Sequence, residues 1–233
     1  MSDFADAIDF IFSERESPAG GSQVGGLGQI WELLGEHLEL SGLALAIACL
    51  IAVPLGLWLG HVGRGGFLAI NASNVGRAVP SLALIAFFVA YLGVGFPNLT
   101  LALVLLAIPP ILTNAYTGMR QVDRDTVDSA RGMGMTGAQT VWRVELPLAL
   151  PLIFGGIRIS AVNVVATATI APLAGVVTLG DPIINETTYG EAGQLAAAIV
   201  VALLAVVTEV ALGAAQRVAT PAGLKPDRRE RTA

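Results

Sequence analysis

The sequence predicts an all-α integral membrane protein of five transmembrane helices with one polar elbow on its cytoplasmic side. Three observations predict it. Hydrophobic residues make up 54% of the 233 residues and charged residues only 13%, roughly half the ~25% of a soluble domain, so most of the surface must face lipid. The apolar residues gather in five long runs. Lys and Arg are confined almost entirely to alternate connections between those runs.

The N-terminus comes first. Residues 3–13 have helical periodicity, with Phe4, Ile8, Ile11 and Phe12 on one face and Asp6, Asp9 and Ser13 on another, as expected of a helix at the outer membrane interface. Residues 17–28 are rich in Gly and Ser and read as a flexible linker. The segment is not a secretory signal, because it lacks a basic start and opens Ser2-Asp3-Phe4-Ala5-Asp6. Residues 1–37 form an extracytoplasmic segment, 38–218 the transmembrane domain and 219–233 a basic tail.

The five runs are 38–60, 67–93, 99–118, 150–174 and 194–216. The first, at 1.5 Å per residue, covers roughly 34 Å, enough for a ~30 Å hydrocarbon core. The second contains Asn71, Asn74, Arg77 and Pro80, and the third contains Pro109 and Pro110; both should be kinked or lined by protein.

Charge sets the direction. Residues 1–39 hold Asp3, Asp6, Asp9, Glu14, Glu16, Glu32, Glu36 and Glu39 against the one base Arg15. The loops 61–66 and 119–149 and the tail hold Arg64, Arg120, Arg124, Arg131, Arg143, Arg217, Lys225, Arg228, Arg229 and Arg231. The loops 94–98 and 175–193 hold none. Positive flanks stay in the cytoplasm, so the N-terminus is outside and the C-terminus inside.

The inner loop 119–149 is patterned. Asp123 or Asp125 is placed to cap a short helix ending at Arg131. Gly132 and Gly134 permit a turn. Thr136 and Gln139 have capping-box spacing for a second helix running to Glu145. Pro147 and Pro151 should then bend the chain back into the membrane. Met133 and Met135 project at the turn as an adaptable surface, and the short Ser129 and Ala130 leave room for a partner. An ordinary structured loop is the plain alternative.

Asp128-Ser129-Ala130, with Gly134 six positions after the acid and Val144-x-Leu146-Pro147 beyond, resembles the EAA motif of ABC-importer permeases. Asp128 and Ser129 stand where Glu and Ala are usual. Pro80-Ser81-Leu82-Ala83-Leu84, Ile108-Pro109-Pro110-Ile111-Leu112-Thr113-Asn114 and Glu145-Leu146-Pro147-Leu148-Ala149-Leu150-Pro151 resemble the osmoprotectant branch, which imports glycine betaine, choline or carnitine. The branch's glycine-rich segment after the fourth span is replaced here by Leu179-Gly180-Asp181-Pro182-Ile183-Ile184.

The resemblance implies a permease subunit of the cell inner membrane. It implies a cytoplasmic ABC ATPase dimer, a second permease that is a related chain or a second copy, and an external solute-binding protein or lipoprotein. ATP and Mg²⁺ belong to the ATPase, and no cofactor is bound by this chain. The coupling residues it implies are Asp128, Ser129, Ala130, Arg131, Gly132, Met133, Gly134, Met135, Leu146 and Pro147. No nucleic-acid partner is expected.

The inventory agrees with a chain that performs no chemistry of its own. The only lysine, Lys225, precedes Pro226, so a Gly-Lys-Ser/Thr phosphate loop is impossible. The only histidines, His37 and His61, flank the first run, which rules out a His-Glu-x-x-His zinc site. The single Cys49 reads as a packing residue.

Charges at membrane depth need partners. Arg158 and Glu209 lie at matching depths, roughly 12 and 10 Å from the inner side, and are expected to pair. Arg77 is left to bond carbonyls freed by Pro80, to reach inward or to face a water-filled path. Asn71, Asn74, Arg77, Asn114, Asn163 and Thr167 are candidates for the translocation path, interhelical hydrogen bonding being the alternative. The aromatics Phe87, Phe88, Tyr91 and Tyr116 form no evident cage for a quaternary ammonium, which assigns high-affinity recognition to the external binding protein. The competing functions are an amino-acid or other small-solute ABC permease and, in another class, a membrane scaffold or sensor that moves no solute.

Overall fold

The structure is a computed structural model that describes residues 2–63, 66, 67, 71, 78–221 and 223. Its elements are α1 (Ser2–Phe12), β1 (Glu14–Glu16), β2 (Gln23–Gly25), α2 (Gly26–Val62), α3 (Ser81–Leu92), α4 (Phe96–Arg120), α5 (Arg124–Gly132), α6 (Gly137–Thr140), a π-helical turn (Val141–Glu145), α7 (Leu146–Thr167), a 3₁₀ segment (Ala168–Ala174), α8 (Asp181–Ile184) and α9 (Glu186–Ala219).

Among the described residues, four helical runs are long and apolar enough to cross a bilayer: Gly26–Val62, Phe96–Arg120, Gly137–Ala174 and Glu186–Ala219. The expected second span, 67–93, is described mainly by α3. That helix has 12 residues and measures about 18 Å, too short to cross alone. Asn74 and Arg77 in the inner part of this segment lie outside the described residues, as do Arg64, Lys225, Arg228, Arg229 and Arg231.

Helix α4 is central. It lies between α2 and α7, and the contacts depend on small residues. Along α2, Ala44, Ala48, Ala52, Gly56 and Gly60 are all buried at four-residue spacing, the small-residue seam that lets membrane helices approach closely. A Cβ at Gly56 would lie 2.5 Å from that of Ala115, and one at Gly60 would lie 2.5 Å from that of Met119. On α4's other side, Gly156 faces Asn114 and the Ser160 hydroxyl donates to the Ala107 carbonyl at 2.8 Å. Leu40, Leu99, Leu103, Ile111 and Val164 complete the core between these helices.

Helix α2 departs from expectation at its start. It begins at Gly26 rather than near Leu38 and runs 37 residues, about 55 Å. Gly28, Gly35 and Gly42 in its first half do not stop it, because Ile30, Leu33 and His37 bury one face there and packing outweighs propensity. Trp31 and Trp58, 66% and 62% exposed, stand about 40 Å apart along it, close to the separation of the two headgroup regions where tryptophans gather.

The expected linker 17–28 instead holds the tip and second strand of an antiparallel hairpin, Glu14–Glu16 with Gln23–Gly25, and the start of α2. Gly20 and Gly21 take positive φ at the tip, and the Ser17 hydroxyl donates to the Thr188 carbonyl at 2.7 Å. A second face of α1 holds the helix to the rest of the protein. Ala7 and Phe10 are buried against Val24, Ile30, Tyr189 and Ala196, whereas Phe4, Ile8 and Phe12 are exposed. Small Ala7 lets α1 dock close to α9, where Phe10 meets Gly193. The face carrying Phe4, Ile8 and Phe12 is therefore the one available to a lipid interface.

Candidate functional site

The elbow connects α4 to the fourth span. Helix α5 starts at the N-cap Asp123, whose carboxylate accepts from the Asp125 amide at 3.1 Å; of the two candidate caps, Asp123 holds the position. The helix ends on Gly134, which has φ of +88°. The Gly134 amide donates to the Arg131 carbonyl at 2.9 Å and the Met135 amide to the Ala130 carbonyl at 3.2 Å. That pair of bonds is the Schellman closure, and it requires the left-handed conformation that glycine adopts without penalty. Gly134 thus makes the turn. Gly132 does not share the task, being the last residue of α5.

Thr136 starts the second limb with a complete capping box. Its amide donates to Gln139 Oε1 at 2.9 Å and its hydroxyl accepts from the Gln139 amide at 3.4 Å. Helix α6 then passes into the π turn, in which the Leu146 amide donates to the Val141 carbonyl five residues back. Pro147 does not end the helical run, which continues from Gly137 to Ala174. It lies just after the π turn, where the bonding is already shifted to residues five apart. Pro151 lies inside α7 without ending it. The direction changes at 133–135, between α5 and α6.

The elbow's surface is narrower than expected. Asp128, Ser129, Arg131, Gly132, Met133 and Gly134 are exposed, Met133 at 74%. Ala130, at 2% exposed, packs inward together with Val127, so it seats the helix rather than leaving room for a partner. Met135, Leu146 and Pro147 are half-buried.

At membrane depth the structure brings Arg158 and Glu209 together, with Arg158 Nη2 donating to Glu209 Oε1. Gln216 extends the pair: its Oε1 accepts from Arg158 Nη1 at 2.6 Å and its Nε2 donates to the Pro151 carbonyl at 3.0 Å. This network joins α7 to α9. Arg158, Asn163 and Glu209 share a groove of about 680 Å³ between those helices.

The other polar candidates do not converge. The Asn114 amide donates to the Pro110 carbonyl on its own helix at 2.8 Å and its Cβ abuts Gly156, a packing arrangement. The Asn71 amide donates to the Phe67 carbonyl at 2.7 Å. Asn163 is exposed and Thr167 half-buried on α7.

One pair escapes the sequence reading. His61 Nδ1 lies 2.6 Å from Glu145 Oε2, joining the last turn of α2 to the end of the π turn. The signal was available: an acid and a histidine at the inner ends of two apolar runs, matched in depth. At the outer end, the Asp181 carboxylate accepts from the Tyr189 hydroxyl at 2.8 Å and from the Asn185 amide at 2.6 Å, fixing α8 against the start of α9.

Residues 52–219 match the family described as the binding-protein-dependent transport system inner membrane component. The chain is 37% identical over 199 residues to the glycine betaine/carnitine/choline transport system permease protein OpuCB of Bacillus subtilis, covering 85% of this chain and 92% of that one. It is 40% identical over 191 residues to the choline transport system permease protein OpuBB of the same organism, covering 82% and 88%. Among solved structures, an inward-facing conformation of the MetNI methionine ABC transporter superposes with a TM-score of 0.71 at 21% identity, covering 84% of this chain and 98% of that one; this likeness is one of fold. The chain therefore belongs to the inner-membrane permeases of binding-protein-dependent transport systems.

Proposed function

We propose that this chain is the permease subunit of an ATP-driven importer of quaternary ammonium osmoprotectants, the class of glycine betaine, choline and carnitine. The observation that carries the reading is the extent of likeness to permeases named for those solutes, 37% and 40% identity over more than four-fifths of the chain. The elbow is its coupling part. Asp128, Ser129, Arg131 and Met133 offer an exposed surface on a helix fixed at both ends, which suits a force-bearing contact with a cytoplasmic ATPase dimer holding ATP and Mg²⁺.

An external solute-binding protein delivers the solute, and a second permease completes the passage. The groove holding Arg158, Asn163 and Glu209 suits that second subunit, because charged groups at membrane depth are poorly served by lipid.

The test is uptake by vesicles containing the complex isolated through a tag on this chain, with radiolabelled glycine betaine, choline, carnitine and methionine offered separately. ATP-dependent accumulation of the first three, and not of methionine, is the expected result. Accumulation of methionine alone overturns the substrate class. Isolation of the chain without an ATPase overturns the transport assignment.

A further inference from the structure

Glu145 is 5% exposed, and it is placed by an unusual piece of backbone. In a regular α-helix, residues five apart point about 140° away from each other. Thr140 and Glu145 are five apart, yet both are buried. The intervening π turn stacks residues joined by an i→i+5 bond, so both face the bundle. Such turns are costly and persist where a side chain must be aimed.

The side chain so aimed meets His61. The imidazole has Glu145 on one side and Gly137 on the other. Its Nδ1 lies 2.6 Å from Glu145 Oε2, and its Nε2 would lie 3.7 Å from a Cβ on Gly137, the first residue of α6. One ring is therefore bonded to the end of the elbow's second limb and lies beside its start. Beside it α2 and this limb flank an apolar groove of about 440 Å³, lined by Leu57, Trp58, Val141, Trp142 and Leu146 among others. Beneath the elbow the pair opens on a small cleft where Arg120, Arg124, Asp128 and Arg131 also face. On its far side α2 is seated on α4 by Gly60 against Met119.

We infer that His61 and Glu145 are positioning residues that tie the elbow's second limb to α2, so that displacement of the elbow is passed to the first span. This rests on the coupling reading above. An apolar contact alone lets two helices slide, because dispersion has no direction. A hydrogen bond at a fixed nitrogen resists sliding and holds register. The pair does not line the groove between α7 and α9, so its loss should affect transmission and leave solute affinity alone.

The test uses the complex isolated from its own membrane, reconstituted, and assayed for uptake of radiolabelled choline, glycine betaine and carnitine together with ATP hydrolysis. The unaltered complex is measured first. If it lacks an ATPase or ATP-driven uptake, the function reading fails, independently of the present inference.

With the unaltered complex active, His61→Leu should lower maximal uptake by about tenfold or more, at a half-saturating solute concentration changed by less than about twofold. ATP hydrolysis should persist, so that uptake per ATP falls. The contrast between His61→Asn and His61→Gln decides even where the Leu variant does not assemble. Asn places an amide nitrogen near Nδ1, whereas Gln places one near Nε2. Asn should retain at least about threefold more uptake per ATP than Gln, the size of a modest hydrogen bond. Equal values for Asn and Gln, or full uptake per ATP in His61→Leu, overturn the assignment.

Discussion

Gly155 and Gly156 are adjacent in α7 and should respond in opposite ways to the same methyl group. A Cβ at Gly156 would lie 2.6 Å from Asn114 Cβ and 2.8 Å from the Pro110 carbonyl oxygen, whereas one at Gly155 meets nothing within 4 Å. Carbon atoms in good contact sit at about 3.5–4.0 Å, so Gly156→Ala forces α4 and α7 apart by roughly 1 Å at their crossing. Overpacking of this kind costs about 1–3 kcal/mol. Both substitutions gain about 0.5–1 kcal/mol from replacing a glycine within a helix. The gain cancels in the comparison, leaving Gly156→Ala less stable than Gly155→Ala by about 1–3 kcal/mol. For a chain of this length, each kcal/mol moves the melting temperature by about 2–4 °C, which gives a gap of about 2–12 °C. The assay is thermal melting of the detergent-purified protein followed by size-exclusion recovery. If Gly156→Ala melts within about a degree of Gly155→Ala, α4 and α7 do not cross at Asn114 and the argument fails.

Other outcomes follow from the same geometry. Gly134→Pro removes the amide that donates to Arg131 and forbids the left-handed φ, so membrane insertion should persist while ATP-dependent uptake is lost; normal uptake contradicts the coupling role. Gly134→Ala should cost about 1–2 kcal/mol of local strain and reduce uptake only partly, read as initial rate. Removing either Arg158 or Glu209 should lower the yield of folded protein in the membrane, and exchanging the two residues should restore part of it; no recovery in the exchanged variant refutes the pairing's structural weight. A Cβ at Gly180 would fall on the Thr169 carbonyl, so Gly180→Ala should displace the outer segment 178–184 and reduce folded yield more than Gly155→Ala does, measured in the same expression trial.

The elbow was the most legible region of the sequence because its rules are local. Asp123, Gly134, Thr136 and Gln139 each act within about a turn of themselves, and capping chemistry is written in neighbouring residues. The inward turn of Ala130 and Val127 could have been read from their spacing on α5. The spans were legible from hydrophobicity, but their ends were not. Glycine-rich composition argued for a linker at 17–28, whereas Val24, buried beside Phe10 and Tyr189, and Ser17, bonded to Thr188, hold that stretch through contacts more than 150 residues away in sequence. The π turn has no composition of its own. It coincides with the burial of both Thr140 and Glu145, and the partner of Glu145 is 84 residues away. Pro147 and Pro151 lie within a helical run that continues past both, and nothing nearby in sequence distinguishes a proline that a helix accommodates from one that stops it.

Helix α2 reaches from the hairpin and α1 at one membrane face to His61 at the other without a break. Its length gives it mechanical advantage. Pivoting it by about 10° at its inner end would carry the outer end through roughly 10 Å. A modest push below therefore becomes a large excursion above, and anything perched on the outer lobe rides on the long arm of that seesaw.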